Sequence, residues 1–470
     1  MRNGAKKTVF AVVALVVVAI LVSAFVVDLR NSRVVFAANV ARVIFNAASI
    51  RIDAAMGDAE AQYKLGNMYA NGRIGRRNQK EAAKWYKRAA DQGYANAQHE
   101  LGRMYRDGRG VARDAAAAVR LFRAAAEQGH INAQNNLGRM YHDGNGTETN
   151  KVEAVKWFRM AAEQGHVHGA FNMGLSYEYG DGVEKDYEEA AAWYLVAAEK
   201  GHVTAQRKAG FMYRDGRGVA KNEKEALKWF RAAAEEGDQY AQNNVGWMYE
   251  NGKGGVKRDY EEAVKWYSLS ADQGNDFAQY TLGMMYWRGR GVAKNFYEAA
   301  RLFRASADQG NVGAMNNLGV MYERGHGVER DYEQAVELYR KAADAGDIVA
   351  RHNLGRMYER GRGIEKNYAD ALKCYRVAAD KGYAAAQNDL GVLYYCGRGV
   401  EKDYAEALKW FRKAAEKNQP NAMCNLGDMY ENGYAVKKDE GAALKWYRAS
   451  AERGCKDAKK NLKRLGIAED

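Results

Sequence analysis

The chain has 470 residues and a formal net charge of +13, of which +5 lies in residues 1–57. The remainder is mild for so large a surface and comes with no DNA-binding motif, which excludes nucleic acid as a partner. The four cysteines, Cys374, Cys396, Cys424 and Cys455, lie toward the C-terminus without a Cys-x-x-Cys, which leaves a disulfide framework or a zinc site without support.

Residues 1–7 form a short basic tail with Arg2, Lys6 and Lys7. Residues 8–27, Thr8 to Val27, are almost unbroken apolar positions, enough at about 1.5 Å per residue to cross about 30 Å of hydrocarbon. A signal-peptide core usually runs about 7–15 residues. The stretch therefore reads as an uncleaved transmembrane signal-anchor, with cleavage after Val35-Phe36-Ala37 as the alternative. The basic residues near its two ends are balanced, Arg2, Lys6 and Lys7 against Arg30, Arg33 and Arg42. A short basic tail stays in the cytosol and long domains cross largely regardless of charge, which places the rest of a single-pass protein outside the cytoplasm, in the periplasm if bacterial. Residues 28–57 make a juxtamembrane segment and an N-terminal capping helix.

Residues 58–457 are eleven repeats. A Leu-Gly-x-Met-Tyr-like word returns with its glycine at Gly66, Gly102, Gly138, Gly174, Gly210, Gly246, Gly283, Gly319, Gly355, Gly391 and Gly427, a step of 36 residues every time but one. A fixed period of that size marks a solenoid whose units stack to bury apolar faces none can bury alone. In residues 94–129, Ala97, Leu101, Met104 and Tyr105 give one apolar stripe on a first helix. The turn Asp107-Gly108-Arg109-Gly110 ends it, and Asp114 opens a second helix. Every repeat has Asp or Asn in that slot, from Asn78 to Asp439, and most have Glu or Gln three residues on, which predicts a capping box. The second helix carries an aromatic pair, an alanine pair and a closing glycine, as in Trp85-Tyr86, Ala89-Ala90 and Gly93. Residues 458–470 form a C-terminal capping helix and tail: Lys463 stands where the helix glycine belongs, and a lysine ends the stack.

Turns such as Gly108-Arg109-Gly110 follow a helix and lack the Lys-Ser/Thr of a P-loop, so they are turn glycines rather than phosphate cradles. His130, His166 and His202 share one slot, each a full repeat apart, too far for one metal ion. Ser-x-x-Lys, Gly-x-Ser-x-Gly and His-Glu-x-x-His are absent from the sequence. The chain is therefore expected to be no enzyme and to need no cofactor or metal.

The 36-residue spacing, the Leu-Gly-x-Met-Tyr word, the Gly-x-Gly-Val turn with Asp-Tyr-x-Glu-Ala, and Trp-Tyr-x-x-Ala-Ala-x-x-Gly resemble Sel-1-like repeats, relatives of tetratricopeptide repeats. The resemblance spans roughly residues 58–465 and implies a right-handed superhelical, all-α solenoid that scaffolds complexes or binds protein partners. Some cysteine-rich relatives resemble penicillin-binding proteins in activity, but this chain lacks their repeated cysteine slots.

On the first helix, the stripe 96, 99, 103 and 106 is not needed for stacking, and in the tetratricopeptide relatives the matching positions line a concave groove. It begins polar and basic with Arg103, Arg106 and Arg139. It turns apolar through Phe171, Leu175 and Phe211 to Tyr240, Trp247, Phe277, Tyr280, Met284 and Trp287, then ends with Glu323, Arg356, Glu359, Asp428 and Glu431. Clustered exposed aromatics mark binding hot spots. Two readings stand, a lined groove or extra core created by curvature. Asn136, Asn172, Asn244, Asn317, Asn353 and Asn425 precede the Leu slot, and since Asn is poor inside helices they imply a repeated hydrogen-bonding duty, toward a ligand backbone or a neighbouring helix.

The expected function is a membrane-anchored protein–protein interaction scaffold that takes a protein or peptide segment along the groove. The alternatives are a cell-envelope hydrolase or β-lactam-binding enzyme, and a binder of anionic polysaccharide or lipid through the basic turn residues Arg73, Arg109, Arg217, Lys253, Arg290, Arg362 and Arg398. The oligomeric state is left open.

Overall fold

The computed structural model describes residues 46–467. A helical stretch at 46–56 leads into twenty-three helices running from Ala59–Asn71 to Lys456–Arg464, with no strand among the described residues. The apolar span at residues 8–27 lies outside the described residues, and no helix among those described is long and apolar enough to cross a membrane.

Each repeat is a helical hairpin. In the second, the first helix Ala95–Asp107 stops at Gly108, which takes φ 69° while its N–H donates to the Met104 carbonyl. Asp114 then caps Ala115–Glu127, its carboxylate accepting from the Ala117 N–H at 2.8 Å. All eleven predicted Asp/Asn caps do the same for their helices.

The other half of the capping box is not made. The Asn78 N–H donates instead to the Tyr69 carbonyl at 3.0 Å, closing the hairpin, so Glu81 three residues on has no backbone donor to reach. The acid pairs with a lysine on the next turn, as in Glu81 with Lys84 at 2.6 Å and Glu262 with Lys265 at 2.9 Å.

Packing within and between repeats rests on two glycines. A Cβ on Gly138 would lie 2.6 Å from the Phe158 ring of its own second helix, so the two helices approach only because that position is bare. A Cβ on Gly110, already at φ 73°, would lie 2.3 Å from the Gln79 carbonyl of the preceding repeat. The second turn glycine therefore serves stacking as well as the turn.

The chain divides into two compact units, Met1–Trp229 and Phe230–Asp470. In the first, the core joins Phe122, Leu137, Met140, Phe158, Met173 and the alanine pairs of successive repeats. In the second, Phe230, Tyr267, Phe303, Tyr339, Tyr375, Phe411 and Tyr447 are among the largest buried side chains. Polar links run between neighbouring repeats within each unit. The buried Gln134 donates to the Ala126 carbonyl at 3.3 Å and accepts from Gln164 at 2.8 Å. The tyrosine of the repeated word accepts from an arginine of the repeat before, as Tyr177 does from Arg159 and Tyr322 from Arg304, both at 2.7 Å. At the C-terminal end, Ala458 and Leu462 are buried and Arg464 reaches Glu431 at 2.6 Å.

Candidate binding surfaces

The last slot of the variable stripe obeys a rule set by the core. Where the second helix buries a tyrosine, the first helix of the same repeat supplies an acceptor to its hydroxyl, Asn67 for Tyr86 at 2.7 Å in the first repeat and a glutamate in the last stripe slot for the others: Tyr194 to Glu178 at 2.5 Å, Tyr267 to Glu250 at 2.8 Å, Tyr339 to Glu323 at 2.9 Å, Tyr375 to Glu359 at 2.8 Å and Tyr447 to Glu431 at 2.8 Å. Burial pushes these phenols well above their ordinary range, so they remain donors. Where the second helix buries Phe122, Phe158, Phe303 or Phe411, the slot holds Arg106, His142, Trp287 or Tyr395. Glu323, Glu359 and Glu431 thus satisfy buried hydroxyls before they can select a ligand.

The asparagines make the repeated bond that helix-interior Asn implied. Asn172 donates to Asn135 at 2.9 Å, Asn353 to Asn316 at 3.0 Å and Asn425 to Asn388 at 3.0 Å, each across one repeat. Asn136 pairs with His99 at 3.0 Å and His352 with Asp389 at 2.8 Å in the same register. The rungs are absent where Phe171 and Tyr280 fill the acceptor slot. Beside Tyr280, Asn317 meets the Met284 sulfur at 3.1 Å.

In the first unit, the first helices of repeats 2 to 4 and the His202 cap of the next first helix line an open cleft of about 550 Å³. Arg103, Arg106 and Arg139 line it together with Asn136, Asn172 and Phe171. Arg103 bonds Glu100 through Nη1 at 3.1 Å, and Arg106 bonds Asp107 at 2.7 Å, holding that carboxyl below its usual range. Arg139 is exposed, and among the described residues none forms an ion pair with it.

Histidines also gather at the cleft: His99, His166, His168 and His202 line it, and His130 stacks on His99. His130, His166 and His202 are N-caps, their Nδ1 atoms accepting from Ala133 at 3.2 Å, Gly169 at 2.9 Å and Ala205 at 3.2 Å. Burial and then a neighbouring imidazole lower all three from the ordinary range. Across the repeat boundary, His202 Nε2 lies 3.2 Å from His168 Nδ1, the His99 and His130 rings stack at 4.5 Å, and Phe171 stacks on His202 at 4.4 Å. Separation along the chain concealed this closeness. Even so, no group of three or more His, Cys, Asp or Glu among the described residues could hold a metal ion. The sequence signal was the slot itself, which elsewhere holds the caps Asp238, Asn275, Asn311 and Asp347.

In the second unit the aromatic run separates into two sets. Tyr240, Trp247 and Phe277 stand in solvent at 51%, 41% and 64% exposure. Tyr280, Met284 and Trp287 are half-buried against Phe303, whose ring meets Trp287 edge-on at 5.6 Å. Phe211, in the first unit, is half-buried beneath the Arg214 guanidinium at 4.8 Å.

Several basic turn residues fold back on the preceding repeat: Arg217, Arg290, Arg362 and Arg398 lie over Tyr187, Tyr260, Tyr332 and Tyr368. Among the cysteines, burial pushes the Cys374 thiol up to about 11 and the Cys424 thiol up to about 12, while Cys396 is exposed.

The Sel1 repeat family model matches eleven successive segments, from residues 59–94 to residues 420–455. Among solved structures, the c5321 protective antigen of uropathogenic Escherichia coli, which displays an SLR fold, is 39% identical with a TM-score of 0.85, covering 89% of this chain and 90% of that one. A Sel1 repeat protein from Oxalobacter formigenes is 34% identical with a TM-score of 0.53, covering 66% of this chain and 90% of that one. No curated protein sequence matches.

Proposed function

The chain belongs to the Sel1 repeat family, and on that premise we propose that it is a membrane-anchored scaffold whose first-helix face captures a segment of a partner protein. One observation carries the reading: the side chains of the first-helix stripe vary while the frame repeats, and at several repeats they stand at the surface rather than in the core. Repeats 2 to 5 turn it into a cleft, and repeats 6 and 7 present Tyr240, Trp247 and Phe277 to solvent. Large exposed aromatics beside charged neighbours suit a protein partner, because they bury apolar area while keeping a polar rim. Residues 8–27 would hold the scaffold at the membrane, with the repeats outside the cytoplasm.

Photo-crosslinking the full chain in its own membranes tests the capture. Trp247→Ala with Phe277→Ala, or Arg103→Gln with Arg139→Gln, is expected to remove crosslinked partners while the melting temperature holds. Identical partner sets from wild type and both variants overturn the proposal. Labelling of exposed Cys396 by a membrane-impermeant maleimide on intact cells tests the orientation; protection until lysis would place the repeats inside.

A further inference from the structure

The cleft of repeats 2 to 5 differs in chemistry from the same slots elsewhere, and that difference names its occupant. We propose that it binds an extended, acidic peptide segment, with carboxylates on Arg103 and Arg139 and an apolar side chain against the Phe171–His202 stack; this rests on the scaffold reading above.

Charge supports the acidic part. At the third and fourth stripe slots, repeats 2 and 3 carry Arg103 with Arg106 and Arg139 with His142. The equivalent pairs in repeats 8, 9 and 11 are Val320 with Glu323, Arg356 with Glu359 and Asp428 with Glu431. Arg356 is drawn onto Glu323 at 3.3 Å, so that region offers an anion little. In repeats 2 and 3 the buried second-helix ring is phenylalanine, which needs no acceptor and frees the slot for a cation. Arg103 keeps donors beyond the Nη1 that it gives Glu100, since a guanidinium carries five N–H groups.

Spacing supports the extended peptide over a small ion. Arg103 and Arg139 stand on first helices one repeat apart, and packed helices lie about 10 Å from each other. One carboxylate or phosphate does not bridge that gap, whereas side chains three residues apart on an extended polyproline II segment, with three residues per turn and about 3.1 Å per residue, share a face and match it. Three lining helices and the His202 cap of the next give a path of about 20–30 Å, or about seven to nine residues. Phe171, stacked on His202 at 4.4 Å, closes one stretch with a flat face on which an apolar side chain rests.

The test is fluorescence anisotropy with a fluorescein-labelled hexaglutamate peptide, C-terminally amidated, on the full-length protein in detergent. Hexaglutamine is the uncharged control, and inorganic phosphate and free glutamate are small-anion competitors. Binding of hexaglutamate but not hexaglutamine is expected, weakened about tenfold or more by Arg103→Gln with Arg139→Gln and falling with salt. Arg139→Lys should recover part of it at an unchanged melting temperature. Equal binding of hexaglutamine, or no effect of the arginine variants, overturns the proposal. Displacement by phosphate at the same charge concentration also overturns it, in favour of a small-anion site. If hexaglutamate fails while crosslinks that depend on Trp247 persist, only the acidic assignment falls; loss of every crosslink sinks the scaffold reading itself.

Discussion

Repeats 2 to 5 and repeats 6 to 7 fill the same off-core slots of the first helix with opposite chemistry. In the former, arginines, asparagines and histidine caps line a polar cleft of about 550 Å³. In the latter, Tyr240, Trp247 and Phe277 stand in solvent while Tyr280, Met284 and Trp287 lean on the core. A slot outside the stacking frame is therefore not automatically a slot for a ligand. It is released for binding only after the second helix and the neighbouring repeat have made their demands, and those demands differ between Tyr and Phe repeats.

The sharpest way to break the comparison is to remove an acid that serves the core. Glu359→Ala strands the buried Tyr375 hydroxyl and should cost about 1–3 kcal/mol in urea unfolding. Arg139→Ala, at an exposed position in the cleft, should stay within about 0.5 kcal/mol. Equal effects would mean that the last stripe slot has no structural duty.

The two tryptophans of the aromatic run should divide in the same sense. Trp287→Ala loses an edge-on aromatic pair with Phe303 and is expected to destabilise by about 1–2 kcal/mol; Trp247→Ala should cost about 0.5 kcal/mol or less. A larger loss from Trp247 would return the exposed aromatics to the core.

A third contrast lies in the asparagine rungs. Asn353→Ala breaks a buried bond to Asn316 and should cost about 1 kcal/mol by thermal melting, whereas Asn317→Ala, which meets the weakly accepting Met284 sulfur in place of a neighbouring amide, should cost less. If both cost the same, the ladder between repeats contributes nothing of its own.

The smallest effect is a pH dependence confined to the first unit. His130, His166 and His202 have folded pKa values below the unfolded value near 6.5, because burial resists the charged form. Their stabilising contribution is complete above about pH 6.5 and is lost as pH falls below it, since the unfolded chain takes up protons first. Replacing all three by Asn, which caps without titrating, should flatten the melting temperature between pH 7.5 and 5.5, with about 1 kcal/mol or less at stake per cap. An unchanged slope in that variant would show that the caps do not titrate in the range.

Much of the fold is legible along the chain because its causes are local. Asp114 caps the helix that begins one residue later, and Gly138 is bare because Phe158 is the fixed partner of its own hairpin. The acid that tracks buried tyrosine was also written in the sequence, in the pairing of Glu178 with Tyr194 and Arg106 with Phe122, although Glu323 and Glu359 read there as the charged end of a groove-lining stripe. The histidine caps left a fainter mark. Their slot announces a helix start, but only stacking brings His202 within 3.2 Å of His168. The division of the aromatics was not legible at all. Tyr280 finds room because Gly313 in the next repeat has no side chain, its absent Cβ lying 3.2 Å from the ring, and no spacing rule within one helix reveals that.

The sequence by itself determined the period, the hairpin, its caps and the glycines that admit close helices, because each follows from a helix end or a contact inside one repeat. Which of the off-core side chains meet solvent, which lean on the core and which gather into a charged cleft was decided only when neighbouring first helices came side by side, since each outcome depends on a residue one whole repeat away.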